Sequence, residues 1–455
     1  MGEKARTKEI LEKALVINKE TGNRSAEALT LVFTGRLNAS EKNFTSALSA
    51  YQQALEIFRK SGVRGTEIII LRAIGQAYDN LGQSDDKTLS YFEQMLATYK
   101  EWGKNPDAVI DARRGEKTAL INIGNVYLSR GLYPKALELY NQALAIAKKI
   151  NDTSDNSVIL NNIGLIYKEQ GQFQKALDFY QQSLTVAQKS KNRILQGITF
   201  SNLGGVYEDL GEYAKALQYY EGGLTIAKEV GRREGEAVNL GNIASVYDSR
   251  GEYAKALKYY QQALTIHREM GNRRDEGAIL NGIGVVYNGQ GQYDKALQYF
   301  EPALTINKQV GNRPGEVTTL NNIAGVYNDR GQYTQALQYY QQTLPIAKEI
   351  GDRKSESATL NSIGKVYHSQ GEYTQALQHY QQALSIRQQL GLRPGQVTTL
   401  NNIGLLYTEQ GEYTKAKQIL LQAFTIAKEL GDHRGEGFIL NNIASVYQRQ
   451  GIGVW

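Results

Sequence analysis

Asparagine recurs along this 455-residue chain at places where side-chain amides could form a row. Asn122, Asn162, Asn202, Asn242, Asn322, Asn402 and Asn442 hold one position at multiples of 40 residues. Asn161, Asn281, Asn321, Asn361, Asn401 and Asn441 hold the position before it. A primary amide both donates and accepts, so such a row can grip the backbone of an extended ligand or tie one repeat to the next. Asparagine is a mediocre helix former, so its repetition inside a helical pattern calls for one of these two uses, and the sequence leaves both open. Farther along the same segments come Glu169, Glu208, Asp209, Asp248, Asp329 and Glu409, with Lys168 and Arg449 as opposing charges. A mildly acidic face favours a partner with basic residues. Arg130, Arg250 and Arg330 stand where they can offset that charge.

Other chemistry is missing. With no cysteine there is no thiol nucleophile, disulfide or thiolate metal site. The four histidines, His267, His368, His379 and His433, have no metal-ligand spacing. His368 and His379 read as ordinary surface residues. Gly282-Ile283-Gly284 lacks the third glycine and the strand context of a dinucleotide site, and there is no Walker A sequence. No catalytic residue, metal or cofactor is expected.

The elements that must position the asparagines announce themselves through glycine. Nine glycines, from Gly131 to Gly451, fall 40 residues apart without a slip. In the specimen unit Leu160, Ile163, Gly164 and Tyr167 make one helical face, Gln170-Gly171-Gln172 makes a turn, and Phe173, Ala176, Leu177 and Tyr180 make a second face. Each unit is therefore helix A, a tight turn and helix B. The aromatics should fill the space between the helices, with their hydroxyls near the rim. A stripe through 158, 162, 165 and 169 lies beside the buried face of helix A and carries the asparagines. Gly231, Gly271, Gly311 and Gly351 suit a left-handed helix end. Asn272, Asn312, Asp352 and Asp432 suit the next N-cap.

The unit resembles the tetratricopeptide repeat, whose pattern appears as Leu160-x2-Ile163-Gly164-x2-Tyr167 and then Ala176-x3-Tyr180. The 40-residue period is longer than the family's, and looks like that of kinesin light chains, Pins-type adaptors and bacterial arrays linked to CHAT protease domains. The resemblance implies an all-α, right-handed α-solenoid of about ten helix-turn-helix units. It also implies a concave groove for a protein or peptide partner. The thirteen asparagines, with Glu169 and Asp209, would be its partner-contacting residues. A carboxylate clamp is not expected, because no lysine or arginine repeats beside the asparagines. The expected function is a non-catalytic interaction scaffold. The alternative is a regulatory sensor module controlling an attached or partner effector such as a CHAT-type protease.

Composition agrees with that class. Charged residues make up 22% of the chain, with a net charge of +6 and no like-charge run that would mark a nucleic-acid binder. No apolar stretch reaches membrane-spanning length, and no signal peptide is seen, so a cytoplasmic location is expected. The whole chain reads as one solenoid. Residues 4–22 form an unpaired helix, 24–99 two divergent repeats, 100–117 an insertion loop, 118–430 eight regular repeats, and 434–450 a second unpaired helix. One extra residue falls near Ser84-Asp85. The unpaired end helices lead to the expectation of a longer parent protein or of end-to-end self-association. A ladder of Arg193, Arg233, Arg273, Arg313, Arg353 and Arg393, with His433 in seventh place, is expected to pair with the helix-start glutamates.

Overall fold

A computed structural model describes residues 3–62, 64–81 and 85–451, all of whose regular elements are helical. They fall into two compact units, Met1–Ser154 and Asp155–Trp455. The first holds α1 (Glu3–Glu20), α2 (Arg24–Ser40), α3 (Phe44–Ser61), α4 (Arg64–Leu81), α5 (Asp85–Trp102), α6 (Val109–Ser129) and α7 (Tyr133–Lys149). The second begins with α8 (Asn156–Glu169), α9 (Phe173–Lys189), α10 (Arg193–Asp209), α11 (Tyr213–Glu229), α12 (Arg233–Ser249), α13 (Tyr253–Glu269) and α14 (Arg273–Gly289). It continues with α15 (Tyr293–Gln309), α16 (Arg313–Asp329), α17 (Tyr333–Glu349), α18 (Arg353–Ser369), α19 (Tyr373–Gln389), α20 (Arg393–Glu409), α21 (Tyr413–Leu430) and α22 (His433–Arg449). Consecutive helices pair as A and B, giving the α-solenoid architecture that the periodicity implies.

The period is set at the helix ends. Gly271, Gly311, Gly351 and Gly431 all have φ between 63° and 71°, which glycine adopts without steric cost. The following Asn272, Asn312, Asp352 and Asp432 accept from backbone N–H groups of the next helix's first turn. Within a unit, helix A approaches helix B at its glycine. A Cβ on Gly164 would sit 2.8 Å from the Tyr180 ring, so the missing side chain is what admits the aromatic. Tyr140, Tyr180 and Tyr380 are completely enclosed. Their hydroxyls are therefore not at the rim as expected: the glycine gap lets the whole ring slide in.

The segment 100–117 is not a loop. α5 runs to Trp102, a 3-10 turn covers Pro106–Ala108, and α6 starts at Val109 and reaches 21 residues. The extra residues are spent lengthening a helix A, because Ala112 and Gly115 give it a further buried turn. The extra residue placed near Ser84, and the final residues 452–455, lie outside the described residues.

In the second unit, late repeats fold back onto early ones. The turn at Gly171 lies against Pro394 and Leu430, and a Cβ on Gly171 would come within 2.7 Å of the Pro394 ring. Lys354 at the start of α18 bonds Glu169 at the end of α8, across 185 residues of chain.

Candidate functional site

The asparagines lie on the A helices, and most are half-buried. Asn202 Nδ2 donates to Asn161 Oδ1 at 3.0 Å, and Asn322 to Asn281 at 3.1 Å. Asn402 donates to Asn361 at 3.3 Å, and Asn442 to Asn401 at 2.7 Å. Each rung joins one A helix to the next. Thr359 donates to Asn321 at 3.0 Å, and Thr399 to Asn361 at 3.2 Å, so the threonines brace the same row. Asn162 and Asn242 sit half-buried on α8 and α12, and Asn441 is exposed on α22. By register Ser201 holds the acceptor place of the rung that Asn242 would make, and its hydroxyl instead donates to Asn239 Oδ1 at 2.8 Å. In the first unit, Asn122 on α6 has a buried Nδ2 without a hydrogen-bond partner. A rung uses one donor and one acceptor of its two amides, which leaves other donor and acceptor positions on most of them.

The acidic positions are largely engaged. Glu169 is held by Lys354 and Asp209 by Lys168 at 2.9 Å. Glu208 accepts from Tyr220 at 2.8 Å and Ser245 at 2.7 Å, and Glu409 meets His368 Nε2 at 2.9 Å. Asp248 is different: burial pushes its carboxyl above the usual range. Arg250 and Arg330 do not offset this face. They pair with Glu252 at 2.7 Å and Asp294 at 2.9 Å.

The histidines are not the surface residues the sequence implied. His379 stacks on Tyr367 with ring centroids 5.5 Å apart, and burial lowers its basicity. It takes the place of the aromatic in a repeated pair such as Tyr247–Tyr259, so packing rather than polarity decides its position. His368 is mostly covered and bonded to Glu409.

Beside Asn202 a cavity of about 180 Å³ opens between α10, α11 and α12. Ile194, Ile198, Ile226 and Val238 line it. Gly197 and Gly223 keep it open, since a Cβ on Gly223 would meet Asn239 Oδ1 at 2.7 Å. The sequence reading missed this feature, though Gly223 is visible as a departure from the alanine, serine or threonine of the other repeats. It also missed a lysine series: Lys175, Lys215 and Lys255 lie 5.0–5.3 Å from the ring centres of Tyr167, Tyr207 and Tyr247. Eight residues separate each lysine from its tyrosine, which is the signal that could have revealed it.

The arginine ladder begins the A helices. Arg233 bonds Glu236 at 2.9 Å and Glu269 at 2.7 Å, and Arg313 bonds Glu316 at 2.8 Å and Glu349 at 2.6 Å. Arg273, Arg353 and His433 likewise meet the helix-start Glu276, Glu356 and Glu436, and Arg233 and Arg313 also reach the end of the next helix B. Arg193 and Arg393 depart from the expectation: glutamine stands at 196 and 396, and they pair with Glu229 and Glu429 at the end of the next helix B. Among the described residues no group of histidines and carboxylates could hold a metal ion, and no helix is long and apolar enough to cross a membrane.

Known proteins were compared with this architecture. No curated protein matches the sequence. A solved Rap protein complexed with Competence and Sporulation Factor is 15% identical, with a TM-score of 0.56 over 81% of this chain and 99% of that one. The apo form of RapI is 19% identical, with a TM-score of 0.46 over 60% of this chain and 98% of that one. A signal transduction ATPase with a tetratricopeptide repeat sensor, from Pyrococcus horikoshii, is 16% identical, with a TM-score of 0.44 over 77% of this chain and 55% of that one. The tetratricopeptide repeat model matches residues 117–189, 195–269, 275–349, 315–389, 355–429 and 395–451. With that match spanning most of its length, on helix pairs of the expected geometry, the chain belongs to the tetratricopeptide repeat family.

Proposed function

We propose that this protein is a non-catalytic interaction scaffold that takes an extended peptide segment along the A-helix face of its second unit. The carrying observation is the apolar cavity beside Asn202. A peptide backbone bonded to the unused amide groups of the row would place one aliphatic side chain among Ile194, Ile198 and Val238. Asp248, desolvated and acidic, gives the same face a preference for a basic neighbour in that peptide. The Rap structure of this fold holds Competence and Sporulation Factor, which accords with a bound-factor role.

The test is selection of binders from a random peptide library, followed by fluorescence polarisation. Val238→Trp, which fills the cavity, and Asn202→Ala should each weaken the selected peptides about tenfold, the size of one lost buried contact. Affinity unchanged in both variants sinks the reading.

A second reading, a sensor whose occupancy switches an effector, is favoured by the fold-back contact at Gly171. A face whose curvature is fixed by contacts between distant repeats can couple ligand binding to closure.

A further inference from the structure

Position 387 breaks a series. Ala147, Ala187, Ala227, Ala347 and Ala427 occupy the equivalent place near the end of helix B, where His267, Asn307 and Arg387 are the exceptions. A small apolar residue therefore satisfies the fold there. Arg387 is 8% exposed. Its Nη1 donates to Gly395 O and Thr399 Oγ1, both at 2.6 Å, and its Nε reaches Ser357 Oγ at 3.4 Å. No carboxylate lies within ion-pair distance of it among the described residues. Burial brings its basicity down to about 10, because a desolvated guanidinium lacks a counter-charge. A Cβ on Gly395 would sit 2.9 Å from Arg387 Cδ, so the missing side chain leaves room for the arginine. A buried cation is costly unless something anionic meets it.

Arg387 lines a cavity of about 610 Å³ where the late repeats of the second unit meet the early ones. The apolar part of its wall includes Phe173, Leu210, Leu392, Pro394 and Leu430. Its other charges are mostly spent. Lys354 pairs with Glu169 and Lys168 with Asp209. Asp432 caps α22 by accepting from Gly435 N at 2.8 Å, and Glu208 is held by Tyr220 and Ser245. His433 meets Glu436 at 3.1 Å. Exposed Arg434 adds a second cation to the lining. Four carboxylates around the wall repel a dianion more than a monoanion.

We propose that this cavity binds an amphipathic monocarboxylate, with its acid group on Arg387 and its hydrocarbon body against Phe173, Leu392 and Leu430. The cavity shares Glu169 and Asp209 with the end of the stripe that carries the asparagines, but none of the asparagines lines it, and it does not depend on the peptide reading. A molecule held there touches both the early and the late repeats, so it favours their contact over separation.

The test is isothermal titration of the full chain at fixed ionic strength with octanoate, octanol and inorganic phosphate. Octanoate should bind, and phosphate and octanol more weakly. Arg387→Ala, the residue five other repeats carry, should weaken octanoate about tenfold or more, the effect of one charge-assisted bond. Arg387→Gln, which stays polar but carries no charge and is too short to reach Gly395 O and Thr399 Oγ1, should lose octanoate to a similar extent, and equal circular dichroism of both variants and the wild type guards against a folding artefact. Absence of octanoate binding, an affinity unchanged in both variants, or tighter binding of phosphate or octanol overturns the proposal.

Discussion

Asn202 donates to Asn161 at 3.0 Å, and in doing so bonds an A helix to the one before it. The bond is part-buried, so its removal is felt. Asn202→Ala should cost about 1 kcal/mol, the net worth of such a bond. A double-mutant cycle with Asn161→Ala, read by urea unfolding, should show a coupling of about 0.5–1 kcal/mol. Full additivity would mean that the two amides do not interact in solution.

Three helix ends carry a left-handed residue that is not glycine: Lys42 at φ 60°, Asn151 at 52° and Lys191 at 55°. For Asn151 and Lys191 the corresponding places later in the chain are Gly231, Gly271 and Gly311; for Lys42, in a turn from helix A to helix B, they are Gly131, Gly171 and Gly211. A lysine pays a steric cost there that glycine avoids, partly offset by glycine's freedom in the unfolded chain. Lys191→Gly should stabilise the protein by about 1 kcal/mol, and Asn151→Gly by less, since asparagine tolerates this region. Thermal unfolding of the two variants checks the order.

In the first unit, Lys117 is 1% exposed and its ammonium meets Asp152 at 2.9 Å and Ser154 at 3.0 Å. The lysine and serine hydrogen bonds hold the Asp152 carboxyl down to about 2. Folding therefore makes this group harder to protonate. Its contribution is fully present above about pH 4 and is lost as the pH falls toward 2, where the unfolded chain binds the extra proton. The loss should be about 2 kcal/mol. Asp152→Asn should remove that part of the acid limb and destabilise the protein at neutral pH, because Lys117 then stays buried beside a neutral amide. An unchanged pH–stability profile would contradict this.

The Glu169–Lys354 pair ties the early repeats of the second unit to the late ones, with the lysine more than half exposed. Such a pair contributes under about 1 kcal/mol, so Lys354→Glu should hardly change the unfolding midpoint. The distance between spin labels at Gln172 and Gln389 should nevertheless become longer or broader. High salt should act on the wild type in the same direction. A distance distribution identical in all conditions would show that apolar contact at Gly171 alone holds the two together.

Much of this molecule could be read from residue types. The glycine register gave the helix ends, and Leu160, Ile163, Gly164 and Tyr167 gave the buried face, because packing within one unit repeats in every unit. The rungs were half legible. Gly241 and Gly282 are the acceptor and donor places of one rung, and both are glycine, so that rung is absent as a pair. Removing both partners of a hydrogen bond costs little, whereas removing one strands the other. Such paired gaps are the sequence trace of a bond between repeats. The fold-back contact had no such trace. Glu169 and Lys354 are 185 residues apart, and nothing local to either marks the other. Residues 109–117 were misread as loop because Gly115 hides a helical turn that buries Ala112 beneath it.

The rungs share a further property. From Asn202 to Asn442, the donor in each asparagine pair belongs to the later helix and the acceptor to the earlier one. Thr359 and Thr399 follow the same sense. The side-chain dipoles consequently add along the row instead of cancelling, and the row carries an arrow. A polypeptide carries one as well, from its N–H groups to its carbonyls. On the proposed peptide reading the two arrows match in one orientation only, so a bound strand would run one way along this face.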